Sequence, residues 1–279
     1  IGTVKENFRD FYVSSNPLSM SIATHIGYGA VAVTATAFIP ELIRVLHDEG
    51  FDKKHIIFHV SDEPHEQHLH SYLKAKKIIM PLLKGYTVMD ALSSYDFYKK
   101  GVVSHPIPSN DHIQPFIDHK VKDLWVYYCV SQSVDVPNRF FSMPSSRNRI
   151  MGVLLYLYNI KGFLHWGFNF YNTQFSKKHI NPFITTDCGF AFPSGDAFLV
   201  YPAPDGSAYV SIRNEVQMEA FADLRALQKA ESLAGRSKVC DIIHEGLGYP
   251  ITFTKYPLES EYLTQLRYKI NTCIRSYTE

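Results

Sequence analysis

No two of the four cysteines, Cys129, Cys188, Cys240 and Cys273, fall at a Cys-x-x-Cys spacing, which removes the usual signature of a zinc site or a dithiol redox centre. Free thiols are expected; they suit a reducing compartment and slightly favour the cytoplasm, the location being otherwise open. No uncharged apolar stretch reaches the roughly 18 residues of a membrane span. The most apolar segment, 22–39, is broken by His25, Gly27 and Gly29, so no membrane partner is expected. Charge of one sign is missing too: 28 Lys and Arg stand against 27 Asp and Glu with no long run of either, which argues against nucleic acid. There is no Gly-x-Ser-x-Gly elbow for a serine nucleophile and no His-Glu-x-x-His helix for a catalytic metal. Pro193-Ser194-Gly195-Asp196 lacks the glycine spacing and the lysine of a phosphate loop and reads as a tight turn. The chain opens at Ile1 without a recognisable signal peptide, so its start is read as a processing or expression boundary.

What is present is a repeating strand-then-helix order. With 279 residues, 46% of them hydrophobic, the chain can bury one large core, and a single domain over 1–279 is expected, with a C-terminal helical extension over 237–279. Helical spacing runs over 36–49, 66–84, 95–100, 112–119, 145–159, 215–233, 239–245 and 261–277, with Gly50, Gly85, Gly162 and Gly235 as stops. Apolar or β-branched runs at 56–61, 87–92, 102–105, 124–130 and 162–171 read as five core strands, Pro106 and Pro108 ending the third. A loop rich in Pro, Gly and Asp fills 172–195, and a hairpin turns at Asp205-Gly206. Strands separated by helices imply a mostly parallel α/β sheet, either open or the later part of a barrel.

The carboxyl edge of such a sheet is where loops can vary without disturbing the core, and it is where this chain keeps its polar groups. Asp62 and Glu63 close the first strand, Asp90 and Ser93 the second and His105 the third; Tyr127 and Tyr128 lie in the fourth, and Trp166, Asn169 and Tyr171 run out of the fifth. The blander reading of the first group is a helix cap, with Asp62 as cap, Pro64 near the start and Glu63 and Glu66 in the first turn. Carboxylates, hydroxyls, an amide and aromatic faces together suit a sugar, although Trp and Tyr in strands pack the core more often than they bind ligands. His59, His65, His68 and His70 surround the acids and invite a metal, but their spacing supplies no recognised ligand set; no metal and no cofactor are expected.

Ser61-Asp62-Glu63-Pro64, Trp125-Val126-Tyr127-Tyr128, Asn138-Arg139-Phe140, Arg147-Asn148-Arg149, the run from Gly162 to Tyr171 and Pro193-Ser194-Gly195-Asp196 closely resemble glycoside hydrolase family 123 over about residues 38–274. The resemblance implies a bacterial β-N-acetylgalactosaminidase-like catalytic domain on a (β/α)8 TIM-type barrel, here a truncated barrel carrying the later strands. It also implies a retaining, substrate-assisted mechanism in which the sugar's 2-acetamido oxygen attacks the anomeric carbon, an exception to the two-carboxylate scheme. On that pattern Asp62 orients the acetamido group and stabilises the oxazolinium ion, while Glu63 is acid and then base. The acid then needs a raised pKa and its neighbour must stay ionised. Asp90, His105, Tyr127, Tyr128, Trp166, Asn169 and Tyr171 are the substrate-binding candidates, with Tyr127 or Tyr128 donating to the acetamido carbonyl. N-acetylglucosamine is the other sugar to consider. A glycan-binding or inactive fragment of such an enzyme is the alternative reading, and a metal-dependent hydrolase a third. A partial barrel exposes strand edges, so a homodimer, or contact with an upstream segment, is expected.

Overall fold

The computed structural model describes residues 12–15 and 28–278, with side chains from residue 36 onward. The chain divides into two compact units. One joins strand β1 (Tyr12–Ser15) to the chain from Tyr128 on; the other is Leu18–Tyr127.

In the Leu18–Tyr127 unit the order is α1 (Tyr28–Asp48), β2 (Ile57–Phe58), α2 (Leu69–Ile79), β3 (Thr87–Val88), β4 (Asp90–Ala91), α3 (Tyr95–Lys99), β5 (Pro106–Ile107), α4 (Gln114–Asp118) and β6 (Trp125–Tyr127). The short strands pair in parallel and in chain order. Ile57 sits opposite Thr87, Asp90 opposite Pro106, and Ser109 bridges Tyr127. Helix α2 buries Tyr72, Ala75 and Ile79, spaced three and four residues apart on one face, against Leu83, Leu92, Phe97 and Val103. Each large apolar side chain so covered contributes about 1.5–3 kcal/mol. Ser94 caps α3 by accepting from the Phe97 N–H at 3.1 Å.

Two expectations shift here. The helix read over 66–84 is a single 3-10 turn, Glu66–His68, followed by α2, which stops at Ile79. Pro81 has no N–H to continue the ladder, and the chain tightens instead through Leu82 N–H to Ile79 O and Leu83 N–H to Met80 O. The third strand is not 102–105 but Pro106–Ile107. Its proline is tolerated because β4 bonds to the His105 and Ile107 carbonyls, while pairing on the β6 side begins at the Pro108 carbonyl, so neither proline is asked for a donor.

The other unit holds α5 (Ser145–Arg149), α6 (Met151–Leu157), β7 (Gly162–His165), β8 (Val200–Pro202), β9 (Ala208–Val210), α7 (Ile212–Ala234), α8 (Arg236–His244) and α9 (Ser260–Arg275). Strand β1 pairs in parallel with β7, and β8 with β9 forms the expected hairpin, turning at Gly206 with φ 85°. Helix α7 starts three residues before the expected 215 because Ser211 accepts from the Asn214 N–H and caps it. Its face of Ala220, Phe221, Leu224, Leu227 and Ala230 is buried, and at Gly152 of α6 the two backbones nearly touch: a Cβ there would lie 2.0 Å from the Ala220 carbonyl oxygen. Asp223 of α7 ties three helices, accepting from Arg149 Nε of α5 at 2.7 Å and from Arg267 of α9. None of the four cysteines is bonded to another, and no helix among the described residues is long and apolar enough to cross a membrane.

Candidate active site

Asp90 organises the site from below. Its carboxylate is fully buried in β4 and accepts from the Val60 N–H at 2.7 Å, the Ser61 N–H at 3.1 Å and the Tyr72 hydroxyl at 2.5 Å. Those bonds satisfy the backbone just past β2, where a strand this short leaves its N–H groups without a ladder. They hold the chain at the point where it turns outward into Asp62 and Glu63. Asp90 was expected to meet substrate; with no exposed surface it positions the acid loop instead. It also holds the Tyr72 hydroxyl protonated, since burial and then the carboxylate's charge push that phenol far up.

The acid pair sits in an irregular stretch rather than at a helix cap. The 3-10 turn that follows is capped by His65, with the His65 N–H donating to His68 Nδ1, so Asp62 caps nothing. Glu63 adopts φ 43°, a left-handed conformation uncommon outside glycine, immediately before Pro64. Its N–H donates to the Ala91 carbonyl at the carboxyl end of β4, at 3.0 Å. Its Oε1 accepts from the Tyr127 hydroxyl at the end of β6. The pair therefore gathers near the carboxyl ends of β2, β4 and β6, with both residues reaching solvent.

The Asp62 carboxyl is raised, to about 6. Although the residue reaches solvent, loss of hydration where the carboxyl packs against the protein contributes most, then the charges of Glu63 and Asp90. Near neutral pH Asp62 is still mostly ionised, which an orienting carboxylate requires. His59 is held neutral chiefly by burial, against the opposing pull of Asp90.

Tyr127 leads into a polar chain that sequence reasoning caught only at Ser93. The Ser93 Oγ lies 3.3 Å from the Tyr127 hydroxyl and 2.9 Å from the Ser109 Oγ, which donates to Asp111 Oδ1 at 2.5 Å. His105 is a correction. Once β5 begins at Pro106, His105 precedes the strand, exposed at its amino-terminal end, with Nδ1 3.3 Å from the Val88 carbonyl. Ser109 and Asp111, not His105, follow the carboxyl end of β5.

Tyr128, Trp166, Asn169 and Tyr171 belong to the other unit. Tyr128 is fully buried, its hydroxyl donating to Asn148 Oδ1 at 3.2 Å and pushed up to about 12 by burial, so it is a core residue and not a substrate donor. The Tyr171 hydroxyl is likewise spent, donating to the Val200 carbonyl at 2.8 Å. Asn169 is exposed, and its backbone bridges Phe198.

Trp166 is half-buried just past β7, edge-on to Phe170 and Phe192, and its Nε1–H donates to the buried Asp196 at 2.7 Å. His165 lies 3.1 Å from the same carboxylate through Nε2, while its Nδ1 faces the Gly167 N–H at 2.9 Å and an Arg139 N–H at 2.8 Å. Two donors on Nδ1 fix the neutral Nε2–H tautomer. Burial, then the Arg139 charge, accordingly hold His165 down at about 4. Arg139, buried and lowered to about 10 by that burial, also donates to the Asp196 and Gly167 carbonyls. The Asn138-Arg139, Trp166 and Pro193-to-Asp196 motifs thus converge on one buried ion network.

The glycoside hydrolase 123 catalytic-domain model matches residues 15–230. The chain belongs to glycoside hydrolase family 123. The family 123 match contains the acid pair, Tyr127 and the Arg139–His165–Asp196 network, and ends inside α7. Among solved structures, a family 123 glycoside hydrolase from Clostridium perfringens, reported for glycolipid glycan hydrolysis, is similar at a TM-score of 0.63 and 17% identity. The likeness covers 89% of this chain and 46% of that one, and at this identity it speaks for the fold. The chain therefore spans about half the length of that enzyme. No curated protein matches the sequence.

Proposed function

We propose that this chain is the catalytic portion of a retaining β-N-acetylhexosaminidase that prefers N-acetylgalactosamine. Glu63 protonates the glycosidic oxygen as the substrate's acetamido oxygen bonds to the anomeric carbon. Glu63 then takes a proton from the water that opens the oxazolinium ring. Asp62, ionised above about pH 6, orients the acetamido N–H and balances the positive charge of the ring. The observation that carries this reading is the placement of both acids just past the carboxyl end of β2, with Glu63 bonded to Ala91 at the end of β4 and to Tyr127 at the end of β6. Family membership supports the reaction class, and the adjacency of the acids suits a mechanism in which the enzyme supplies no nucleophile. Tyr127 holds Glu63 in this scheme rather than donating to the acetamido carbonyl.

A (β/α)8-type barrel, of which this chain supplies the later strands, is the architecture we propose. The parallel pairing of β2 through β6 in unbroken chain order favours it over an open sheet whose order reverses at a switch point. The test is release of the aryl group from an aryl β-N-acetylgalactosaminide: Glu63→Gln should lose at least about a hundredfold in kcat/KM, the scale of general acid–base catalysis. Wild-type turnover in that variant would refute the assignment.

A further inference from the structure

Under the proposed reaction Glu63 must carry a proton in one half of the cycle and lack it in the other. The hydroxyls leading away from it can accommodate both states. Tyr127 Oη contacts Glu63 Oε1; Ser93 Oγ is 3.3 Å further on, Ser109 Oγ 2.9 Å beyond that, and Asp111 Oδ1 2.5 Å beyond Ser109. His112 Nδ1 stands 2.8 Å from the same Asp111 oxygen and 3.2 Å from Ser109 Oγ. Ser93 is also fixed from behind, accepting from the Ser109 N–H at 3.1 Å. Each hydroxyl has one proton and donates once, so besides the split arrangement seen, with Tyr127 donating to Glu63 and Ser109 to Asp111, the chain admits two fully aligned orders. With Glu63 ionised, Tyr127 donates to Glu63, Ser93 to Tyr127 and Ser109 to Ser93, leaving Asp111 to His112. With Glu63 protonated, Glu63 donates to Tyr127, Tyr127 to Ser93, Ser93 to Ser109 and Ser109 to Asp111.

We infer that Asp111, acting through Ser109 and Ser93, is a positioning residue that favours the proton-bearing order and so keeps Glu63 ready as the acid. The carboxylate at the far end draws the Ser109 proton at the shorter of that serine's two oxygen contacts, 2.5 Å against 2.9 Å, so Ser109 does not donate to Ser93 and the aligned line of donors that would stabilise ionised Glu63 is interrupted. Passing between the two orders needs only rotation of three hydroxyls. The proton that Glu63 gives goes to the departing glycosidic oxygen, and the one it regains comes from the attacking water, so no other group gains or loses one. Asp62 lies beside Glu63, and Asp90, beneath the loop, acts on Asp62; Glu66 pairs with Lys100, and His112 stands at the outer end of the chain. This inference rests on the proposed acid/base role of Glu63.

The test compares a phenyl β-N-acetylgalactosaminide, whose departure needs an acid, with the 2,4-dinitrophenyl analogue, whose departure does not. In Asp111→Asn and Ser93→Ala, kcat/KM on the phenyl substrate should fall about tenfold, and its alkaline limb should move to lower pH. The loss on the dinitrophenyl substrate should be several times smaller. Asp111 is solvent-exposed, so its variant serves if Ser93→Ala fails to fold. Equal losses on both substrates, or an unmoved alkaline limb, would overturn the inference while leaving the glycosidase reading in place. A wild-type protein that hydrolyses neither substrate would remove both.

Discussion

Replacing Asp90 separates the support of the acid loop from its chemistry. The carboxylate takes three donors, but they do not weigh equally: Val60 and Tyr72 are buried, whereas Ser61 is partly open and can turn to water. A hydrogen bond to a charged group contributes about 1.5–3 kcal/mol, so Asp90→Ala, orphaning the two buried donors, should cost roughly 3–6 kcal/mol. That approaches the whole stability of many domains, about 5–15 kcal/mol. Asp90→Asn keeps an oxygen for the two backbone N–H groups and mispairs only Tyr72, so about 2 kcal/mol should be lost. Urea unfolding reads both as midpoint shifts at constant slope. The Asn variant also removes one of the charges that raise Asp62, so the acid limb of its kcat/KM profile should move to lower pH. If Asp90→Ala unfolded at the wild-type midpoint, or the Asn variant cost as much as the Ala one, the claim that Asp90 anchors this loop would be wrong.

Asp62, raised from 3.8 to about 6, is harder to ionise in the folded protein than in the unfolded chain. Its contribution to stability is therefore fully present below about pH 4 and lost as pH rises through 6, so Asp62→Asn should be the more stable protein at pH 7 while losing activity, the gap closing in acid. In wild type, kcat/KM should fall tenfold per unit below about pH 6. His165 works in the opposite sense. Lowered from 6.5 to about 4, it stabilises the fold above 6.5, and about 3 kcal/mol is lost as pH falls to 4, a slope that thermal melts of His165→Gln should lack. Gly152→Ala, ordinarily worth about 1 kcal/mol in a helix, should here destabilise by about 1–3 kcal/mol, because the new methyl meets the Ala220 carbonyl; an unchanged melting temperature would deny the close helix contact.

The sequence was most informative where one residue type has one physical use. Gly50, Gly85 and Gly235 do occupy left-handed positions at φ near 80°, and the hairpin turns where Asp205-Gly206 placed it. The acid pair was legible because an apolar strand ends in two carboxylates. The third strand was misplaced because Pro106 was taken as a terminator, whereas a parallel strand directs alternate residues to opposite sides and spares a proline where no partner asks for its N–H. That slip promoted His105 and hid Ser109 and Asp111; beginning the strand at Pro106 would have found them. Tyr128 and Tyr171 were misread for another reason. A buried tyrosine and a binding tyrosine look alike until the partner of the hydroxyl is known, and here the partners are Asn148 and the Val200 carbonyl. Nothing in one sequence foretells that Asn138-Arg139, His165-Trp166 and Asp196 share one network, because their approach is set by folding across dozens of residues.

The central claim is that Asp62 and Glu63 cleave a glycosidic bond with the substrate's own acetamido group as nucleophile. Its most direct measurement is the ratio of hydrolysis rates for a 4-nitrophenyl β-N-acetylgalactosaminide and the matching β-galactoside, which differs only in bearing a 2-hydroxyl. Turnover of the acetamido substrate with negligible release from the galactoside is the expected result. Comparable rates on the two would contradict the account, because an enzyme that does not need the acetamido oxygen must supply a nucleophile of its own.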